Sequence, residues 1–323
     1  MIQTFSDNLI FSALKFIKHG HLELTNFDGK KYNFGEKNNN LNVNLKINKP
    51  GFTFNLIKKG SIGLAESYMR GEFETNNLSD LIELTAKNIK IVYKFSGLFD
   101  FSIFNSLKNI LIKNTRKRSK ENISKHYDLG NDFFSNWLDK TLTYSSAIYE
   151  NKNDNLETAQ KNKYQKLIDL LNLKDGNRVL EIGCGWGGFS EYLAKSQNVF
   201  IDCITISKKQ YEFSKKRIFK NGLNNKVNVM FLDYRDLKKR YDKIASIEMI
   251  EAVGEQYLDQ YFRTIKNSLN PGGYAAIQGI TIQDDLFERY RINEDFIQKY
   301  IFPGGFLPSL SYIKKLTKKN KLK

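Results

Sequence analysis

Residues 179–188 read VLEIGCGWGG, an apolar run that breaks into closely spaced glycines. Such a run is a short strand whose end turns sharply toward a helix, leaving bare backbone that a ligand can approach. Gly183, Gly185 and Gly187 follow the spacing Gly-x-Gly-x-Gly-Gly, which departs from the dinucleotide fingerprint. Outward from this loop, helical and strand patterns alternate. Helices are expected over 157–172, 188–195, 208–221 and 256–269, the last stopped by Pro271-Gly272-Gly273. Strands are expected over 178–182, 198–204, 227–232, 243–247 and 274–280. Five strands joined by helices predict an α/β fold with a doubly wound parallel sheet.

The residues flanking the loop narrow the ligand. Glu181 stands two positions before the first glycine, and a carboxylate there suits the cationic amino-acid portion of S-adenosylmethionine. The second strand leads into Thr205, Ser207 and Gln210 with no acid at its tip, so ribose oxygens would meet hydroxyl and amide groups. Ser207 is also placed to cap the helix that follows. In LDYRDL, Asp233 either accepts from an adenine amino group or caps the next turn. After the fourth strand, IEMIEAVGEQY carries two acids, Glu248 and Glu251, and no proline. Enzymes that methylate base amines carry an Asn/Asp-Pro-Pro-aromatic turn there, so base methylation is disfavoured. Glu251 is placed to act near a cationic intermediate, and Glu248 reads equally as a paired structural acid.

A chain of 323 residues suits two modest domains or one large one, and 41% apolar content excludes a disordered or fibrous protein. The net charge of +16 is local: residues 113–120 (KNTRKRSK), 208–220 and 311–323 account for all of it. Lysine far outnumbers arginine, which leans toward lipid headgroups over nucleic acid, with nucleotide composition as the bland explanation. The 208–220 patch reads as a solvated helix face, and 309–323 begins as a helix and runs into a polar tail. Cys184 and Cys203 make no disulfide framework, the first twenty residues lack signal-peptide features, and no long uncharged apolar run is present. A cytoplasmic protein is therefore expected. His19, His21 and His126 have no metal-ligand spacing with the cysteines, so no metal is expected.

The N-terminal third reads differently. An opening amphipathic helix over 2–17 precedes HLELTNF, NVNLKI and FTFNLI, which suggest a small antiparallel sheet. Helical patterns follow over 78–88 and 89–112, the second apolar and leading into KNTRKRSK. That pairing suits docking to an anionic bilayer, an ordinary core helix with a solvated linker being the alternative. The chain thus divides into a smaller α+β domain, 1–118, and a larger domain, 119–323.

Seven segments in order then carry a resemblance: HYDLGNDFFSNWLD (126–139), TYSSAIYE (143–150), the glycine loop, ITISKKQ, DYRDL, IEMIEAVGEQY, and DFIQKYIFPGGFLPS (295–309). Together, with a looser match in GLAESYMRGEF (63–73), they resemble the cyclopropane-fatty-acyl-phospholipid synthase family. The resemblance implies a Rossmann-like class I methyltransferase domain, S-adenosylmethionine as methyl donor, and an unsaturated phospholipid acyl chain as acceptor. It implies work at the membrane surface, peripheral on the cytoplasmic face, without nucleic acid; a homodimer is an arrangement the sequence permits. By the same analogy Tyr144, Ser145, Glu181, Gly183, Gly185, Gly187, Thr205, Gln210, Asp233 and Tyr234 surround the cofactor. Phe302, Pro303, Gly304 and Gly305 would shape an acyl channel or form a plain turn.

Family members remove the final proton with bicarbonate held by a Cys, a Glu, a His and a Tyr. Glu251 matches the Glu, Ser146 stands at the Cys position and Gln278 at the His position. The Tyr, and two further strands of the family's sheet, would lie beyond Lys323, so the resemblance implies a domain that lacks its last strands. Three readings stay open: bicarbonate in a rearranged shell, proton loss elsewhere to give a methylene or methyl-branched chain, or a non-catalytic cofactor- and lipid-binding relative.

Overall fold

The structure is a computed structural model that describes residues 2–37, 40–91 and 130–323. These fall into two compact units, residues up to 91 with Ile292–Phe296, and residues 130–291 with Ile297–Lys323. The expected boundary at 118/119, the basic segment 113–120, His126 and most of the apolar segment 89–112 lie outside the described residues.

The N-terminal unit runs α1 (Ile2–Leu14), β1 (His21–Thr25), β2 (Lys31–Gly35), β3 (Asn42–Ile47), α2 (Phe52–Met69), β4 (Phe73–Thr75) and α3 (Leu78–Lys87). Val43, Leu45 and Ile47 of β3 are buried while Asn42, Asn44 and Lys46 are exposed, so one face of the strand packs on Leu22, Leu24 and Phe73. The sheet order is β2-β1-β3-β4, and β1 pairs with β3 in parallel. The sheet is therefore mixed rather than antiparallel. FTFNLI also opens α2 instead of a strand. Gly51, at φ 96°, turns the chain, and beyond it the inward residues Ile62, Gly63, Glu66 and Ser67 recur at helical spacing.

The larger unit runs α4 (Asn131–Ser135), α5 (Leu156–Leu171), β5 (Arg178–Ile182), α6 (Gly188–Ser196), β6 (Phe200–Thr205), α7 (Lys208–Lys220) and β7 (Val227–Phe231). It continues with β8 (Tyr241–Ile247), α8 (Ile250–Val253), α9 (Glu255–Ser268), β9 (Leu269–Gln278), α10 (Asp284–Ile292) and α11 (Leu310–Lys319). All five strands are parallel, in the order β7-β6-β5-β8-β9. Alternate residues of β5 feed two cores. Val179 joins Leu167, Leu171, Phe189 and Leu193 on one face; Leu180 and Ile182 join Leu258, Tyr261 and Ile265 on the other. Winding reverses between β5 and β8, the place where a parallel sheet of this kind forms its binding crevice.

Three local expectations change. α9 stops at Ser268, ahead of Pro271-Gly272-Gly273, and β9 starts at once. The ladder then jumps from Tyr241 opposite Leu269 to Lys243 opposite Tyr274. Proline cannot donate to a ladder and Gly272 takes φ 76°, so the Pro-Gly-Gly run makes a bulge within β9 rather than a helix stop. The segment after Ser309 begins as a helix, as read, but its basic stretch belongs to the fold instead of a loose tail: Ser309 caps α11, Leu316 is buried, and Asn320 Nδ2 donates to Asp259 at 3.0 Å. Among the described residues no strand follows β9.

The basic face of α7 is the third correction, because one of its cations, Arg217, is half-buried and fully hydrogen-bonded rather than solvated. Arg217 donates from Nη1 to Thr141 O at 2.8 Å and Trp186 O at 3.0 Å, and from Nη2 to Lys140 O at 2.8 Å. Its Nε lies 2.6 Å from Glu191. Arg217→Ala is expected to lower unfolding free energy by about 2–3 kcal/mol, since these acceptors lose a charged donor. Lys216→Ala on the same helix should stay within about 0.5 kcal/mol, and urea melts of both variants check the contrast.

Candidate active site

The glycine loop is fixed from both sides. Gly183 N and Cys184 N each donate to Ile204 O at 3.0 Å, tying the loop to β6. A Cβ on Gly183 would approach Met249 Cγ to 2.8 Å, so only glycine lets the loop pack against the segment leaving β8. At Gly185, φ 54°, a Cβ would meet nothing within 4 Å, which marks the open face of the loop. Trp186 is buried; its Nε1 donates to Asn131 Oδ1 at 2.8 Å and its ring lies 5.0 Å from that of Phe134. α4 is thereby docked on the loop. Phe134, Trp137, Tyr144 and Phe302 continue this aromatic cluster, with centroids of 5.3 Å for Tyr144 to Phe134 or Trp137 and 6.2 Å to Phe302.

The residues expected around the cofactor divide by how their polar groups are used. Thr205 Oγ1 donates to Gln210 Oε1 at 2.9 Å and accepts from Ser207 N at 3.1 Å, a buried polar knot at the tip of β6. Ser207 also caps α7, as its position suggests. Glu181 is buried and accepts from Ser190 Oγ, and burial raises its carboxyl to about 7. Ser190 Oγ occupies one of its two oxygens, Oε2. Asp233 caps the short turn Tyr234–Asp236 and grips Arg235 with both oxygens, at 2.9 and 2.6 Å. The capping role is therefore present. Tyr234 packs edge-on against Tyr261 at 5.7 Å, and burial raises its phenol.

Ser145 and Tyr144 lead to a residue the sequence reading passed over. Lys163 Nζ donates to Ser145 Oγ at 2.6 Å, while Gln160 Nε2 donates to Ser145 O at 2.8 Å. Lys163 is buried, and desolvation lowers its ammonium to about 8 against the opposing charges of Glu248, Asp139 and Glu181. Its signal was present: with Ala159 and Leu167 it forms a buried i, i+4 stripe of α5, where a lysine is out of place.

At the ends of β8 and β9 the structure brings Ser146, Gln278 and both acids together. Gln278 Nε2 donates to Ser146 Oγ at 2.9 Å and to Glu248 Oε1 at 2.8 Å. Ser146 N and Oγ donate to the same Glu248 oxygen at 2.9 and 2.8 Å. Glu251 accepts from Ile280 N; its Oε2 is buried without a partner among the described residues, and desolvation raises its carboxyl to about 7. The backbone of Glu251 is held too, its carbonyl accepting from Phe306 N at 2.8 Å. Phe302–Gly305 forms a turn, closed by Gly305 N to Phe302 O at 2.8 Å, beside these residues.

A five-stranded parallel sheet in this order, with a glycine loop after its central strand and acids at the switch point, is the class I methyltransferase fold. Mycolic acid cyclopropane synthase CmaA1 complexed with SAH and CTAB shares it, with TM-score 0.58 and 28% identity over 62% of this chain and 74% of that one. Residues 114–323 match the family described as mycolic acid cyclopropane synthetase, and residues 10–94 match a domain of unknown function. The cyclopropane-fatty-acyl-phospholipid synthase of Escherichia coli is 35% identical over 272 residues, 84% of this chain and 68% of that protein. Tuberculostearic acid methyltransferase UfaA1 of Mycobacterium tuberculosis is 34% identical over 80% of this chain, which spans 62% of that protein's length. The chain belongs to the mycolic acid cyclopropane synthetase family.

Burial keeps the proton on Glu181 to about pH 7 in the folded chain, whereas an unfolded carboxyl releases it near 4.5. Between those values the unfolded state binds fewer protons, so this group makes stability fall as pH rises and contributes no slope above about pH 7. Glu181→Gln keeps an acceptor for Ser190 and removes the titration. Relative to the native chain, the variant should gain up to about 3 kcal/mol between pH 4.5 and 8 in urea melts. A difference that does not move with pH would mean Glu181 stays ionised when folded.

Proposed function

We propose that this chain is a lipid C-methyltransferase that moves the methyl group of S-adenosylmethionine to the cis double bond of an unsaturated phospholipid acyl chain, closing a cyclopropane ring. The observation that carries the reading is the pair of carboxylates, Glu248 and Glu251, gathered with an aromatic cluster at the C-terminal ends of the strands flanking the switch point. The family membership and the relatives' names support it. The open face at Gly185 fits a cofactor lying against the loop, and Tyr144, Ser145, Thr205 and Gln210 are the residues that would hold it. When bound, S-adenosylmethionine supplies an electrophilic methyl group.

An alkene is a weak nucleophile, so the residues must supply alignment and exclude water. Methyl transfer leaves a carbocation on the acyl chain. The faces of Tyr144 and Phe302 offer negative quadrupole to such a cation, and the carboxylates offer charge. Base methylation has no comparable need for two acids. The acceptor would be met at a membrane surface from the cytoplasmic side, with the lysine excess and residues 113–120 supporting contact with anionic headgroups. Among the described residues no helix is long and apolar enough to cross a membrane.

A second reading, the same transfer ending in a methylene or methyl-branched chain, is favoured by relatives named as probable fatty acid methyltransferases. Incubation with methyl-labelled cofactor and unsaturated phospholipid vesicles should place label in the acyl chains, with cyclopropane proton signals by NMR. Label without those signals selects the open-chain product. Absence of label with retained cofactor binding would overturn the enzymatic reading, and preferential labelling of RNA or DNA would overturn the substrate class.

A further inference from the structure

Bicarbonate is the group that the family resemblance would place at Ser146, Gln278 and Glu251. The residues present do not fit it. Ser146 N, Ser146 Oγ and Gln278 Nε2 all donate to one oxygen of Glu248, at 2.8 to 2.9 Å. Glu251 gives one oxygen to Ile280 N and keeps the other without a partner among the described residues, but a carboxyl group brings no positive charge to hold an anion. A second anion at these donors would displace the carboxylate or lie against it, like charge on like charge. The cradle is filled by the chain itself.

The backbone shows that this placement is built. Glu248 takes φ 46°, in the left-handed region that a residue with a Cβ enters at a cost of roughly 1–2 kcal/mol. Its N–H donates to Gln278 O at 2.9 Å, and the β8–β9 register sets Ile247 opposite Gln278, so the strained residue is held by the sheet edge. Among the described residues no donor reaches its second oxygen, Oε2. One oxygen is therefore anchored by three donors while the other is bare. Ser146, which donates to Glu248, directly follows Ser145, the acceptor of Lys163 Nζ, so the two contacts stand side by side along the chain.

Resting on the methyl transfer to an alkene argued above, we propose that Glu248 is a catalytic residue, the chain's own base in place of a diffusible anion. The alkene π pair forms the bond to the incoming methyl carbon as the carbon–sulfur bond breaks, its electron pair remaining on sulfur. The neighbouring acyl carbon is left cationic. Glu248 Oε2 takes a proton from the new methyl group, and that C–H pair closes the ring onto the cationic carbon. The proton then passes from Glu248 to water. A carbocation is a very strong acid, so its base needs position more than basicity, and an anchored carboxylate supplies position.

The test uses the full chain, methyl-labelled cofactor and vesicles of unsaturated phospholipid, in buffer freed of carbon dioxide and in the same buffer with added bicarbonate. The native chain should give the same rate in both. Glu248→Gln, which keeps an acceptor for Ser146 and Gln278, should lose about 100-fold or more in product formation and gain nothing from bicarbonate. Glu248→Gly relieves the backbone strain and empties the cradle; it should be comparably slow without bicarbonate and recover about 10-fold or more with it. Calorimetric binding of the cofactor, unchanged in both variants, separates these losses from misfolding. A native chain that requires bicarbonate, or a Glu248→Gln variant within a few-fold of native, overturns the proposal alone. A native chain that labels no acyl chain in either buffer overturns the methyl-transfer reading and this inference with it.

Discussion

The burial of β5 on both faces is the constraint from which the rest of the larger unit follows. Val179, Leu180 and Ile182 are each at most 1% exposed, and a strand apolar on both sides must lie mid-sheet under helices. Once it is central, β6 and β8 are its parallel neighbours, and the reversal of winding between β5 and β8 makes the crevice at their C-terminal ends. The sharp exit from β5 then needs glycine, because Met249 leaving β8 is already within van der Waals reach of Gly183. The same close approach delivers Glu248, one residue before Met249, to the mouth of the crevice.

Around that crevice the chain keeps titratable groups out of water and uses their neighbours to hold them. Glu181 with Ser190 and Lys163 with Ser145 are removed from solvent, Glu251 with the amide of Ile280 partly so, and desolvation moves each toward its neutral form. Burial of this kind strengthens the charges it encloses, whereas Ser146 and the ring of contacts around Glu248 stay open to solvent. It also separates the two acids in character. Glu251 holds its proton near neutrality and has a buried oxygen without a partner among the described residues, whereas Glu248 is fixed by three donors.

Much of this was legible in the sequence wherever the signal was local. The bounds of β5, the cap at Ser207 and the capping role open to Asp233 follow from a few adjacent residues. FTFNLI misled because six residues of alternation are shorter than the helical period that decides α2. Pro271-Gly272-Gly273 misled because a breaker serves a bulge as well as a stop, and only pairing with β8 distinguishes them. Arg217 was hidden among lysines on a basic helix; its carbonyl acceptors at Lys140, Thr141 and Trp186 are distant in sequence. Ser146, Gln278 and the two acids were each visible, but their meeting depends on the β8–β9 register, which no single segment encodes.

That meeting alters what the Ser146 and Gln278 positions mean. Considered one at a time, a serine and a glutamine look like weakened anion ligands, since neither carries the charge of a histidine cation. Considered with Glu248 they are a matched donor set, because neutral donors suit a carboxylate that arrives covalently attached. A diffusible anion must be captured from dilute solution, and its site needs positive charge to hold it. A tethered carboxylate is present at every turnover, and its cost is conformational: a left-handed backbone at Glu248, held by the Gln278 carbonyl. Replacing the captured anion by a residue thus removes the need for a cation in the cradle and transfers the burden to the sheet edge that positions it.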